Sequence, residues 1–178
     1  MSLHEEITKT SEMKFDGKLI KVTYDTAMVN GREAWREVVH HPGASAIIVI
    51  DDQNRIIMER QYRYALQQGL LEIPAGKLDA GEDPLTCAKR ELEEETGYKS
   101  EELEWLITLR TTVAFCNEKI EVYVAKNLIP SKQHLDEDEF IDLKAYSLDE
   151  LKEKIFTGEI EDAKTVASLM AYAVKYEA

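Results

Sequence analysis

Residues 18–41 carry the pattern of two β-strands joined by a tight turn. Apolar and polar side chains alternate along 19–24, and 35–39 is rich in residues that favour strands. Asn30 and Gly31 lie between the two segments, and this dipeptide is a strong hairpin signal. The beginning of the chain is therefore predicted to form a small antiparallel sheet.

The pattern changes at Pro42, where a His-Pro-Gly sequence precedes a continuous apolar run at 46–50. This punctuation predicts an N-terminal strand region at 1–42 and a main domain at 43–178. Apolar or alternating segments in the main domain predict further strands at 55–63, 70–74, 103–113, 119–128 and 141–146.

Helical patterns occur at 83–97, at 148–156 after a Ser147 cap, and at 163–176, where apolar residues recur at helical spacing. Strands outnumber helices, and no regular βαβ alternation is present. The pattern therefore predicts a mixed α+β architecture rather than a doubly wound sheet.

The composition predicts a cytoplasmic protein with an ordinary core. Hydrophobic residues make up 44% of the 178 positions. No segment approaches the roughly 20 apolar residues that cross a bilayer, and the acidic start at 1–6 differs from a basic signal peptide. Cys87 and Cys116 have neither disulfide-framework nor zinc-site spacing.

The charge of the chain narrows the choice of partners. Acidic residues outnumber basic ones by 35 to 22, which gives a formal charge of −13. This charge disfavours nonspecific binding to nucleic acid or to an anionic membrane. A small anionic substrate stays compatible with it, because a bound metal ion can reverse the local potential.

The helix predicted at 83–97 begins with an Asp cap and a proline, ends before a glycine, and places three carboxylates on one side. The three are Glu91, Glu94 and Glu95. Like charges in this arrangement repel unless a cation joins them, and Mg²⁺ takes carboxylate oxygens as ligands. For the bare spacing, an acidic helix face in water is still the better interpretation.

A longer pattern decides between these interpretations. Its fixed positions are Gly76, Glu82, Arg90, Glu91, Leu92, Glu94, Glu95, Gly97 and Tyr98. The segment 76–98 resembles the Nudix box, G-x5-E-x7-R-E-U-x-E-E-x-G-U with U apolar, although a tyrosine replaces the usual aliphatic residue at the last position. The resemblance implies the Nudix fold, a mixed sheet sandwiched between helices, and hydrolysis of a diphosphate linkage with divalent metal.

The resemblance also implies roles for individual residues. Glu91 and Glu95 would be metal ligands for Mg²⁺, with Mn²⁺ as a substitute, and the carbonyl of Ala75 would complete the site. Glu94 would assist directly or through water, and Arg90 would orient the glutamates through charge-assisted hydrogen bonds.

The general base in such enzymes often lies outside the box on an acidic loop. The segment 134–140 is the candidate here, and we nominate Glu139 and Glu137 in it. A solvated acidic loop is an equally good interpretation for either residue taken alone.

Features outside the box resemble the ADP-ribose pyrophosphatase branch of the family. They are the segments 36–44, 61–63, 72–76, 136–139 and 160–165. This resemblance implies hydrolysis of ADP-ribose to AMP and ribose 5-phosphate by a homodimer in which the N-terminal strands are exchanged and complete the active site.

Four residues would bind the substrate by the same resemblance. Arg63 would contact the diphosphate or terminal ribose, and Glu72 would fix the ribose or hydrogen bonds of the site. Trp35 would stack on adenine, and Arg36 would contact adenine or the subunit interface. A surface ion pair for Arg63 and hydrophobic packing for Trp35 are the structural alternatives.

One position departs from the branch. Val113 stands where its ADP-ribose-specific members usually carry a proline past the box. Because proline stiffens a loop, its replacement alters the expected substrate pocket and leaves the metal site untouched. Another nucleoside diphosphate sugar is the rival substrate, and a ligand-sensing module without turnover is the rival class of protein.

Overall fold

The computed structural model describes residues 4–137 and 139–176. Two compact units are present. One consists of Met1–Gly43 together with Arg110–Lys119, and the other consists of Ala44–Leu109 together with Ile120–Ala178. Within the described ranges, none of the helices has the length and apolar character needed to cross a membrane.

The first unit contains a three-stranded antiparallel sheet in the order β1-β2-β3, with β1 at Ile7–Asp16, β2 at Lys21–Val29 and β3 at Arg32–His40. The predicted hairpin joins β2 to β3, and Asn30 and Gly31 adopt the positive φ angles, 49° and 76°, that this turn requires. Strand β1 was not predicted, because its ten residues are all exposed and carry no contrast between a buried and a solvated face.

The second unit is built on a seven-stranded mixed sheet. Its strands are β4 at Ala44–Ile50, β5 at Ile56–Arg63, β6 at Gln68–Glu72, β7 at Ala75–Lys77, β9 at Glu102–Arg110, β10 at Lys119–Lys126 and β12 at Ile141–Tyr146. The order is β12-β5-β4-β10-β9, with β6 paired to β5 and β7 paired to β4. Strands β4 and β10 are parallel, and β8 at Tyr98–Lys99 pairs with β11 at Ile129–Pro130.

Helices cover both faces of this sheet. They are α1 at Pro84–Thr96, α2 at Leu148–Phe156 and α3 at Ala163–Tyr176. Ile47 and Val49 of β4 belong to the hydrophobic cluster that includes Leu92 of α1. The alternate residue Ile48 belongs to the cluster that includes Leu169 of α3. The sheet is therefore sandwiched between helices, as predicted.

Element boundaries differ from prediction in a few places. The strand predicted at 103–113 ends at Arg110, because the chain turns at Thr112, whose carbonyl accepts hydrogen bonds from the Phe115 and Cys116 amides. The short strands β7, β8 and β11 were not predicted, since two or three residues show no periodicity.

Candidate active site

Helix α1 buries carboxylates on the face that packs against the sheet. The buried residues of the helix recur at helical spacing: Cys87, Ala88, Glu91, Leu92, Glu95 and Thr96. The Asp83 side chain accepts hydrogen bonds from the amides of Leu85 and Thr86 at the beginning of the helix, and Gly97 ends it with φ of 70°. Two acidic groups thus lie where a helix normally buries apolar ones.

Strand β7 holds these two carboxylates through its backbone. The Glu95 Oε2 atom accepts a hydrogen bond from the Ala75 amide at 2.9 Å. The Glu91 carboxylate lies over Gly76, where a Cβ atom would come 1.8 Å from Glu91 Oε1. Gly76 is therefore needed for the close approach of the Glu91 carboxylate to the strand.

Arg90 ties the loop before the helix to the carboxylates on the helix. Its guanidinium donates to Glu82 at 3.0 Å, to Glu91 at 2.5 Å and to Glu94 at 2.9 Å. It also donates to the Lys77 carbonyl at 3.1 Å. The planar fork of arginine is suited to holding several carboxylates at once.

Glu139, the nominated base of the acidic loop, lies beside this helix face. Gln61 of β5 donates from Nε2 to Glu139 Oε1 at 2.7 Å. The negative charge of Glu139 is one of the causes that raise the pKa of Glu91 and of Glu95. Glu137 is exposed to solvent, and Asp138 lies outside the described residues.

The loop is anchored at its beginning by the carbonyl end of α1. The amide of Ser131 donates to the Gly97 carbonyl at 2.7 Å, and the amide of His134 donates to the Glu94 carbonyl at 2.9 Å. The Gln133 side chain donates to the Glu95 carbonyl at 2.6 Å. These bonds satisfy carbonyls that a helix end leaves open, and they bring the loop next to the box.

Sequence reasoning missed one acidic residue of the site, Glu59 of β5. Its side chain is fully buried, and no described residue forms a hydrogen bond with either of its carboxylate oxygens. A glutamate directly after the apolar run 56–58 of a predicted strand was the signal that could have found it.

Together these groups form an acidic face, defined here as Glu59, Glu91, Glu95 and Glu139. Burial is the largest cause that raises the pKa of Glu59, Glu91 and Glu95. Neighbouring carboxylates raise all three further, and Arg90 opposes the rise at Glu91. The charges of Lys164 and Arg63 oppose the rise at Glu59. Burial and like charge outweigh these cations at all three glutamates, so the face favours a proton or an added cation.

Arg63 and Glu72 are the two predicted substrate residues of the main domain, and they form ion pairs with each other and with the beginning of α3. Arg63 donates twice to Glu72, at 2.6 and 2.8 Å. Lys164 donates to Glu72 and, at 3.0 Å, to Asp162. We call these four residues the paired cluster. Arg63 is thus part of a half-buried ion pair, and Lys164 is a member that sequence reasoning did not single out.

The predicted substrate residues of the first unit lie on β3. The Trp35 ring is 62% exposed and stacks on Tyr24, with centroids 6.4 Å apart and planes inclined by 8°. The Arg36 guanidinium donates to both carboxylate oxygens of Glu6, at 2.7 and 2.6 Å. Val113 is exposed in the loop at 111–116.

The acidic face fits a divalent cation by its chemistry. In the present side-chain positions of residues 4–137 and 139–176, no three Asp, Glu, His or Cys groups surround a common point. Glu91 and Glu95 are instead held by Arg90 and by the Ala75 amide. Carboxylate oxygens are nevertheless the donor set that a hard cation takes.

A family model described as the NUDIX domain matches residues 39–169, which is more than half of the chain. The protein therefore belongs to the Nudix family. It is an enzyme of the pyrophosphatase type, as its box and its relatives indicate.

Its relatives include a methanol dehydrogenase activator of Bacillus methanolicus, 47% identical over 94% of this chain and 92% of the relative. An ADP-ribose pyrophosphatase of Bacillus subtilis strain 168 is 40% identical over 97% of this chain and 92% of the relative. The crystal structure of an ADP compounds hydrolase superimposes with a TM-score of 0.87 at 23% identity, covering 99% of this chain and 97% of the other, and confirms the fold.

Proposed function

We propose that the protein hydrolyses ADP-ribose to AMP and ribose 5-phosphate with Mg²⁺, and that Mn²⁺ can substitute. The observation that carries the proposal is the acidic face, in which buried carboxylates of the box helix meet a loop glutamate, and burial and like charge outweigh the compensation from Arg90. The substrate is supported by the ADP-ribose pyrophosphatase relative, which aligns over almost the whole chain.

The metal would be held by Glu91, Glu95 and the carbonyl of Ala75, with Glu94 assisting. When bound, such an ion neutralises charge on the diphosphate and lowers the pKa of a coordinated water. Arg90 positions the ligands, since it donates to both Glu91 and Glu94 and is itself fixed by Glu82.

Glu139 accepts the proton of the attacking water in this proposal. As the water oxygen bonds to one phosphorus, the bond from that phosphorus to the bridging oxygen breaks, and the bridging oxygen leaves on the other phosphate. Gln61 supports this role because its amide holds the Glu139 carboxylate at the acidic face. Glu137 is the alternative base, and the kcat values of Glu139→Gln and Glu137→Gln separate the two.

Arg63 and Glu72 would contact the diphosphate and the ribose. The Arg63 guanidinium is oriented by the two hydrogen bonds that it donates to Glu72, and its side chain keeps 36% exposure for a ligand. An oriented guanidinium suits the planar recognition of phosphate oxygens.

A homodimer with exchanged N-terminal strands would complete the site. Its support is the first unit, where β1 is exposed along its whole length and presents Ile7, Met13 and Phe15 to solvent. Trp35 and Arg36 would then contact adenine, and the division at 1–42 and 43–178 would separate the exchanged region from the catalytic domain. Light scattering gives the mass, and Trp35→Ala should raise KM more than it lowers kcat.

The assay measures phosphate released by an added phosphatase from the products of ADP-ribose, ADP-glucose, GDP-mannose and nucleoside triphosphates with Mg²⁺ or Mn²⁺. ADP-ribose is expected among the best substrates. If it is not, the assignment fails and another nucleoside diphosphate sugar takes its place, which the exposed Val113 in place of proline favours.

Activation of a dehydrogenase is a second candidate, favoured by the methanol dehydrogenase activator relative at 47% identity. Adding the protein to purified methanol dehydrogenase tests it. Including Glu95→Gln shows whether any activation depends on hydrolysis.

A further inference from the structure

Glu59 lies on the face of β5 that also carries two residues of the site. Side chains alternate along a strand, so Glu59, Gln61 and Arg63 point to the same side of the sheet. Glu72 of β6 is the register partner of Glu59 across the antiparallel ladder. Two glutamates are thus directly opposed in the interior of one unit, an arrangement that is destabilising unless cations compensate both.

The cations that compensate Glu72 do not bond to Glu59. Arg63 and Lys164 both donate to Glu72, and neither is among the partners of Glu59, which has none in the described part of the chain. Glu59 is also the more deeply buried of the two, with 0% exposure against 2% for Glu72. A carboxylate in this environment stays costly until a proton or a cation reaches it.

The surroundings of Glu59 point toward the box helix. Gln61, the next residue on the same face, holds Glu139. Ile57, which shares this side of β5 with Glu59, belongs to the hydrophobic cluster that contains Ala88 and Leu92 of α1, so Glu59 lies on the side of the sheet that the box helix covers. In agreement with this placement, the charge of Glu59 contributes to the raised pKa of Glu95. Glu59 therefore borders the proposed metal ligands Glu91 and Glu95, called here the metal face, although it lies outside the Nudix box.

We propose that Glu59 binds a divalent cation jointly with Glu95, so that the cation site extends from α1 onto β5. The proposal rests on the metal site of the proposed function and adds a ligand from outside the box. It concerns binding of the ion itself and holds whichever nucleotide sugar is the substrate.

Mn²⁺ binding without substrate tests the proposal. Electron paramagnetic resonance of free Mn²⁺ gives the number of ions bound and their Kd for the wild type and for three variants, Glu59→Gln, Glu95→Gln and the surface control Glu101→Gln. We expect Glu59→Gln to lose one ion or to bind about 10–100-fold more weakly, the range found when groups around a metal are altered. Glu101 is 88% exposed, so its variant should bind as the wild type does.

The pattern of results separates the two proposals. If Glu95→Gln weakens binding and Glu59→Gln leaves it unchanged, Glu59 is a buried protonated acid and the inference is overturned. If neither variant changes Mn²⁺ binding, the metal face of the proposed function fails as well.

Thermal unfolding supplies a second readout that guards against misfolding. Without metal, Glu59→Gln is expected to melt at least as high as the wild type, because the amide never carries a charge in this buried position. The rise in Tm on adding Mn²⁺ should shrink in this variant. Glu59→Met serves if the glutamine variant does not fold, and an undiminished Mn²⁺ effect on Tm in either variant contradicts the inference.

Discussion

The acidic face and the paired cluster meet where Glu59 of β5 lies opposite Glu72 of β6, and these two buried carboxylates have opposite surroundings. Glu72 of the paired cluster accepts hydrogen bonds from Arg63 and Lys164. Glu59 of the acidic face, its register partner, has no partner among the residues that the structure describes. The chain can hold a buried carboxylate with hydrogen-bonded cations, as at Glu72, and among the described residues it places no such cation on Glu59.

This difference separates carboxylates whose charge the chain compensates itself from carboxylates that an added cation would compensate. Burial raises the pKa of Glu72, but hydrogen bonds and charges from Arg63 and Lys164 outweigh burial and lower it overall. The pKa of Glu95 is raised, because burial and three neighbouring carboxylates act in the same direction. A cation from solution therefore has more to stabilise at the acidic face than at the paired cluster.

The largest effect is expected on activity at the acidic face. Glu95→Gln keeps the shape of the side chain and removes the charge that would hold the metal. We expect kcat to fall by at least about 10²–10³-fold, the range for removing one group that stabilises the transition state. Steady-state phosphate release at saturating Mg²⁺ measures it.

Glu93→Gln is the matched control on the same helix. Glu93 accepts from Ser131 and pairs with Lys99 rather than facing β7. Glu93→Gln should keep the wild-type kcat. If kcat fell equally in Glu93→Gln and Glu95→Gln, the total negative charge of the helix would matter rather than the acidic face.

The paired cluster should respond in stability rather than in metal binding. Glu72→Gln leaves the Arg63 and Lys164 charges without a carboxylate between them. Removing one partner of a buried ion pair costs about 3–5 kcal/mol, so the free energy of unfolding should fall by about 3 kcal/mol. Urea titration monitored by tryptophan fluorescence measures this loss. If Glu72→Gln reduced the Mn²⁺ affinity as much as Glu95→Gln does, the distinction between the paired cluster and the acidic face would be wrong.

The box helix and the sandwich could be predicted because their signals are local. Asp83, Pro84 and Gly97 mark the ends of α1, and the helix begins and ends where they stand. The run at 46–50 is continuous and apolar, and β4 is buried along all seven residues. Such patterns depend only on residues that are close together in the sequence, so they can be recognised without knowledge of the tertiary fold.

The relation of Glu59 to Glu72 could not be predicted from sequence. Their opposition depends on the register between β5 and β6, and a shift of one residue would point them to opposite faces. The pairing of Glu72 with Lys164 joins positions 92 residues apart. Such contacts follow from the tertiary fold, so sequence assigned Glu72 a substrate role and passed over Glu59 and Lys164.

Gly76→Ala sharpens the comparison by moving one carboxylate of the acidic face. The new Cβ would meet Glu91 Oε1 at 1.8 Å, so the flexible carboxylate must turn away. We expect the Mn²⁺ affinity to fall by about 10–100-fold, which is the range for mutation of residues that support a metal ligand. Gly69→Ala is the control, since its nearest heavy atom lies at 3.6 Å, and a Gly76→Ala protein with wild-type affinity would show that Glu91 binds the ion without touching β7.

The smallest effect is expected from Asp162, at the beginning of α3 in the paired cluster. Its Oδ2 atom accepts from the Thr165 amide at 2.9 Å and from the Thr165 hydroxyl at 2.6 Å, and the Ile73 amide donates to that hydroxyl at 3.1 Å. Asp162 thereby links the helix to the end of β6. Asparagine caps a helix about as well as aspartate does, so Asp162→Asn chiefly weakens the charge-assisted hydrogen bond from Lys164. A loss of about 1 kcal/mol is expected at pH 7.

The pH dependence of that loss shows whether the charge of Asp162 matters. Burial raises its pKa, but the Lys164 charge and the hydrogen bonds from Thr165 and Lys164 outweigh burial and leave the pKa lowered. The unfolded value is about 3.9, so the stabilising effect is fully present above that pH and disappears as pH falls through the lower folded pKa. The difference in unfolding free energy between wild type and Asp162→Asn should therefore be constant above about pH 5 and shrink below pH 4. A difference that stays constant down to the acid limit of folding would show that the cap acts by shape alone, and that compensation by Lys164 contributes nothing at this end of the paired cluster.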